Sequence, residues 1–243
     1  MSLGRAFRAL MCLLCAAVVL INCPGAQSAA AAAPQPEESV RPTEAAQIAA
    51  ASRRLFDQKP DVDVSAWQYA LYGRGMPVTE EPEQTVRIEG VPVDARIAEP
   101  LRRMIADARA QGLSVYLSCG YTELSIQQYI FRRCADKYGE IVAQTIVGRP
   151  EESEHRSGLC CDITDRYYPE KDSSLEDTEL YAWLTRHCSE YGFILRYPDG
   201  KKPITGHVYA PWHFRYVGVE AAEFMADNEL CLEEFLDLYK YGR

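Results

Sequence analysis

The chain has 243 residues and a formal charge of −9 at neutral pH. Loss of residues 1–28 would remove Arg5 and Arg8 and no acid, leaving −11. That balance argues against a nucleic-acid partner, because phosphate binding wants a basic surface; Arg132-Arg133 and Lys201-Lys202 read as solvated pairs.

Arg5 and Arg8 precede an apolar run from Leu10 to Ile21, and Ala26, Gln27, Ser28 and Ala29 follow. A charged start, a short apolar run and a small-residue exit form the pattern of a secretory signal. The run is shorter than the about 20 residues of a membrane span, although an uncleaved anchor over residues 1–28 is the competing reading. Asn22 before Cys23 fits acylation poorly. The expectation is an exported protein, touching the membrane only through this segment. Residues 29–60 form an Ala/Pro-rich tether and lead-in, since residues 29–45 can bury little. Residues 61–243 are aromatic-rich and long enough for one domain with its own core. A monomer is expected.

Within that domain, Ile97, Leu101, Met104, Ile105 and Ala108 recur at helical spacing over residues 96–111, with Gly112 at the C-cap position. Residues 113–118 read as a strand, Gly120-Tyr121 as a turn, and 123–138 as a helix with Ile126, Ile130 and Cys134 on one stripe. Residues 159–164 read as a short buried strand and 175–190 as a helix closed by Gly192. Strands are expected at 193–196 and about 213–217, and two short helices at 219–228 and 231–239. Interleaved helices and short, hairpin-like strands indicate an α+β fold with a small, largely antiparallel sheet.

Six of the nine cysteines lie beyond the leader: Cys119, Cys134, Cys160, Cys161, Cys188 and Cys231. An even count in an exported chain suggests disulfides, with Cys161–Cys188 as first candidate and Cys119–Cys134 as second. Free buried thiols are the competing reading.

The four histidines are His155, His187, His207 and His213. In SEHRSGLCCD (residues 153–162), alternation along a strand puts Cys160 and Asp162 on one face and Cys161 on the other. Gly158 lets the backbone turn between His155 and that strand. A carboxylate in an apolar strand needs a partner or a metal. YAPWHFRYVG (residues 209–218) supplies His213. Two imidazoles and a carboxylate with an open fourth position is the pattern of catalytic zinc. On the residues alone, Asp162 could instead pair with Arg156 or Arg215, and His213 could be a satisfied core histidine. His187 reads as structural; His207, six residues before His213, reads as a surface residue, with entry into the pocket as the competing reading.

Residues 153–162 also fit the S-x-H-x-x-G-x-x-x-D pattern of the VanY-type D-alanyl-D-alanine carboxypeptidases, zinc peptidases of bacterial cell walls. Trp183-Leu184, Tyr191 to Pro198, Thr205-Gly206, Pro211 to Gly218, and Gly120-Tyr121 with Gln127 resemble the family's other stretches in the same order, over about residues 64–240. The resemblance implies Zn²⁺ held by His155, Asp162 and His213. It also implies substrate contacts from Tyr121, Gln127, Ser153, Arg156 and Trp212, and a peptidoglycan stem peptide as partner. Two positions depart from the family. Ala210 stands where the family has its general-base glutamate, and Thr122 where it usually has an arginine for the substrate carboxylate. Glu154 or Glu123 could replace the acid, and Arg156, Arg196 or Arg215 the cation. Loss of a general base typically costs about 10²–10⁴-fold, so a weakened hydrolase is expected, with a non-hydrolytic wall-binding or regulatory domain as the alternative.

Overall fold

A computed structural model describes residues 43–73 and 75–241. The expected leader and the start of the tether lie outside the described residues. The chain divides into two units, one ending at Gln58 and the other starting at Lys59. In the first, Glu44–Gln58 form helix α1. Alanine is the strongest helix former, so this Ala-rich stretch is helical where its composition suggested only a lead-in. No helix among the described residues is long and apolar enough to cross a membrane.

In the second unit a short 3-10 turn, Trp67–Tyr69, precedes a hairpin that sequence reading missed. Thr85–Ile88 (β1) pairs antiparallel with Val91–Asp94 (β2). Between them Glu89 and Gly90 have φ of 52° and 86°, as a two-residue type I′ turn requires. Asp94 then caps helix α2, Ala95–Ala110, its side chain accepting from Arg96 N at 2.8 Å. The stripe of Ile97, Leu101, Met104, Ile105 and Ala108 is buried as expected.

After β3, Val115–Cys119, come α3, Leu124–Tyr138, and α4, Glu140–Ile146, separated by Gly139. Strand β4 is Cys160–Asp165, α5 is Glu179–His187, β5 is Phe193–Leu195 and α6 is Lys202–Thr205. Strand β6 is His213–Tyr216, followed by α7, Val219–Asp227, and α8, Leu232–Tyr241. The main sheet has the order β3-β4-β6-β5 and is antiparallel throughout. The fold is α+β. One face of the sheet meets α2 and α5 through Leu101, Met104, Leu117, Ile163, Leu184 and Phe214; the other face carries the polar residues described below.

Three expectations are corrected. The helix expected over 175–190 is cut, because Thr178 is extended and its hydroxyl caps α5 by accepting from Tyr181 N at 3.1 Å. The stripe assigned to α3 does not face the core: Ile126 and Ile130 are exposed, and Gln127 is the residue α3 buries. All six described cysteines are free thiols, so neither Cys161–Cys188 nor Cys119–Cys134 is bonded. Cys161 and Cys188 pack among apolar side chains, where burial pushes both thiols up, Cys188 to about 12.

Candidate metal centre

Three neighbouring strands set out one row of side chains. Asp162 on β4 lies opposite His213 on β6 and opposite Cys119 on β3. Strand β3 bulges at Ser118, so that Leu117 pairs with Ile163 while Cys119 pairs with Asp162. The extra residue turns Cys119 away from the core and toward the cleft, a common use of bulges beside functional sites. His155 comes from a single 3-10 turn, Glu154–Ser157, which Gly158 ends at φ 68°. A side chain at Gly158 would press on the Asp94 backbone, so both conformation and space call for glycine.

The two imidazoles converge on one oxygen. His213 Nδ1 lies 2.8 Å and His155 Nε2 3.4 Å from Asp162 Oδ1. The outer nitrogens are taken. His155 Nδ1–H donates to the Gly120 carbonyl at 2.8 Å, and His213 Nε2–H donates to Glu154 Oε2 at 3.3 Å. Each outer N–H meets an acceptor, so in its neutral form each ring turns a lone pair inward, which is the arrangement a cation requires. Asp162 is only 3% exposed. Burial opposes its charge, yet His155 and Lys171 hold its carboxyl well below the usual range. Lys171 Nζ donates to Asp162 Oδ2 at 2.6 Å.

Behind His213 sits a buried ionic cluster. Glu154 accepts from Arg196 Nε at 2.7 Å and from Arg215 Nη1 at 3.0 Å. Arg196 also forms a two-pronged pair with Glu233, and Arg215 donates to the Gln68 and Ala70 carbonyls. Burial would raise Glu154, but the two guanidiniums hold it far below the ordinary carboxylate value. It therefore serves as an anchor for His213 and is a poor proton acceptor. Both arginines are fully buried, so neither is free to receive a substrate carboxylate.

A cavity of about 830 Å³ opens over this row. His155, Asp162, His213, Gln127, Ser153 and Trp212 line it. Tyr121 and Arg156 do not; both turn to Glu81, which accepts from the Tyr121 hydroxyl at 2.9 Å and from Arg156 Nη2 at 2.5 Å. Glu123 and Thr122 are also absent from the lining. Ala210 is on the wall and 1% exposed, so it brings no acid. His207, expected at the surface, lines the cavity and stacks on Tyr197 at 4.2 Å. Its Nδ1–H donates to the Val208 carbonyl, and burial, with His213 nearby, lowers it to about 4.

Sequence reasoning missed Arg149, Glu152 and Lys171, which also carry charge on the wall. Arg149 and Glu152 make no ion pair among the described residues. The thiol at Cys119 was also missed as part of the site. Its Sγ and that of Cys160 each lie 3.6 Å from His155 Nδ1. Burial opposes thiolate formation at Cys119, but the neighbouring His155 brings it down to about 7. Donor atoms of His155, Cys160 and His213 lie within 4.8 Å of one another, as do those of Cys119, His155 and Asp162. Nitrogen, oxygen and sulfur donors in this number suit zinc, so the residues present fit the metal that the resemblance implied.

Comparison with known proteins points the same way. Residues 91–219 match the model of the family described as VanY, D-alanyl-D-alanine carboxypeptidase. A putative carboxypeptidase, YodJ of Bacillus subtilis, is 38% identical over 59% of this chain, which spans only 53% of that protein. A D-alanyl-D-alanine carboxypeptidase of Enterococcus faecalis is 33% identical over 76% of this chain and 72% of its own length. Among solved structures, a glutamate-to-alanine mutant of the vancomycin-resistance D,D-pentapeptidase VanY from a VanB-type cassette, in complex with Zn(II), superposes with a TM-score of 0.64 at 33% identity. The match covers 70% of this chain and 99% of that one. With the site's geometry and these likenesses together, the chain belongs to the VanY D-alanyl-D-alanine carboxypeptidase family.

Proposed function

We propose that this chain is an exported, zinc-dependent D-alanyl-D-alanine carboxypeptidase acting on peptidoglycan stem peptides, with hydrolysis weakened by Ala210. The observation that carries the reading is the convergence of His155 Nε2 and His213 Nδ1 on Asp162 Oδ1 beneath a peptide-sized cavity. Three protein ligands leave a fourth position for chemistry. Zinc bound there would supply Lewis acidity toward a peptide carbonyl and toward water.

The chain's own residues divide the remaining tasks. The Gly120 carbonyl and Glu154 fix the imidazole orientations. Gln127 and Ser153 offer an amide and a hydroxyl to a peptide backbone, and Trp212 offers an apolar wall. A free C-terminal carboxylate calls for a cation, and Arg149 and Lys171 stand in for the arginine that Thr122 replaces. With Glu154 locked by two guanidiniums and Asp162 set aside as a ligand, Glu152 is the remaining carboxylate among the described cavity residues and is suited to accept a proton.

The buried methyl group at Ala210 favours a second reading, a domain that binds wall peptides without cutting them. D-alanine release from a pentapeptide ending in D-Ala-D-Ala separates the two, using the zinc-loaded chain and its Ala210→Glu variant. Slow release is expected from the natural chain, and release about 10²–10⁴-fold faster from the variant, the usual worth of a positioned base. Binding without release from either form would leave the second reading. Neither binding nor release, with zinc loaded, would reject the substrate assignment.

A further inference from the structure

Resting on the zinc reading above, we propose that the Cys160 thiolate is a fourth protein ligand to the metal when no peptide is bound, closing the shell as His155–Asp162–His213–Cys160. Cys160 is fully buried and sits two residues before Asp162 on β4, so the pleat points both side chains to the cleft face. Its Sγ lies 3.6 Å from the His155 ring, and its donor atom is grouped with one nitrogen from each imidazole. Ligation beside Nε2 requires Sγ to leave its present place at His155 Nδ1, and rotation about χ1 is the freedom a cysteine has for that move.

Thiolate is a strong zinc ligand, and a four-ligand shell is the mark of a closed site. Closure needs no oxidant: the S–Zn bond forms as the thiol proton leaves to solvent. Cys119 is the weaker candidate. It approaches His155 alone of the two imidazoles, and its Sγ has polar neighbours in Thr122 Oγ1 at 3.6 Å and the Gly120 carbonyl at 3.7 Å. The consequence would be a resting site without an open position for a peptide until Cys160 is released. Together with Ala210, this makes the chain a slow hydrolase that holds its metal tightly.

The test is spectroscopic. The full chain, kept reduced, is loaded with one equivalent of Co(II) and scanned for the thiolate-to-cobalt charge-transfer band in the near ultraviolet. Zinc X-ray absorption on the unmutated chain should likewise show one sulfur at about 2.3 Å. The charge-transfer band is expected in the natural chain and in Cys119→Ala, and absent in Cys160→Ala and Cys160→Ser. Both Cys160 variants should compete for zinc at least about 10-fold less well, the lower end of what losing even an outer partner of a metal site costs. A band that survives both Cys160 variants, or vanishes in Cys119→Ala, overturns the assignment. Stoichiometric cobalt uptake with visible bands but no charge-transfer band also overturns it, while leaving the metal centre intact. No uptake of either metal would take down the centre itself.

Discussion

Glu154 holds His213, Arg196 and Arg215 at once. Among the described residues it is the sole carboxylate paired with Arg215, so Glu154→Gln leaves a buried guanidinium without its counter-charge. Breaking such a pair typically costs about 3–5 kcal/mol, and the variant should show that loss in urea unfolding. A loss below about 1 kcal/mol would mean that the cluster is wetter than its burial indicates. At the cavity wall the expectation is kinetic. Arg149→Ala and Lys171→Ala should each raise KM for a free C-terminal peptide by roughly 10- to 100-fold, the worth of a charge-assisted hydrogen bond. An amidated C-terminus should abolish the difference, and an unchanged KM in both variants would place the carboxylate elsewhere. His155, Asp162 and His213 could be read from the sequence because their spacing and neighbours form a pattern. Arg149, Glu152 and Lys171 could not, because each is a single charged residue among 26 basic and 35 acidic ones, and only folding brings them to one wall.

Among the elements, the bulge in β3 marks where pattern reading stops. Plain alternation from Val115 and Leu117 would send Cys119 into the core; one unpaired residue at Ser118 sends it to Asp162 instead. The turn that follows is equally specific. A Cβ at Gly120 would overlap the Pro92 carbonyl and the methyls of Val91 and Val93, so the β2 strand packs directly against the residue whose carbonyl orients His155. Gly120→Ala should therefore weaken zinc binding by about 10- to 100-fold, as loss of an outer-shell partner does, with a stability cost of about 1–3 kcal/mol from overpacking. Titration against a chromophoric chelator would measure the first effect; unchanged affinity would show that the turn relaxes without disturbing the ring. The hairpin itself was legible in retrospect, since Val86, Ile88, Val91 and Val93 surround Glu89-Gly90. The misassigned stripe on α3 was not. Ile126 and Ile130 have the right spacing for a core face, and periodicity alone cannot say whether a face meets the core or the rim of a cavity.

For the whole molecule, burial and charge combine into a pH response. The carboxyls of Glu154 and Asp162 are held below their ordinary values of 4.5 and 3.8. A folded-state value below the unfolded one favours the native chain once the unfolded group is ionised. That stability is present above about 4.5 and is lost as pH falls through the depressed folded values. Melting temperature should fall as pH drops below about 4.5, and Glu154→Gln should flatten part of that fall. Equal slopes in both proteins would remove Glu154 from the account. The α+β class and the order of helices and strands were readable from periodicity and turn residues. The free thiols were not, because counting cysteines says nothing about which side chains face each other.

The row Cys119–Asp162–His213 crosses three strands whose side chains alternate between a greasy face and a wet one. Sliding β6 by a single position would swing Phe214 or Trp212 into the spot His213 occupies and drive the imidazole into the oily interior. Hydrogen-bond register and the identity of the side chain in the cleft are thus one and the same fact here. An inserted or deleted residue inside these strands would erase the chemistry even if every letter of the motif survived.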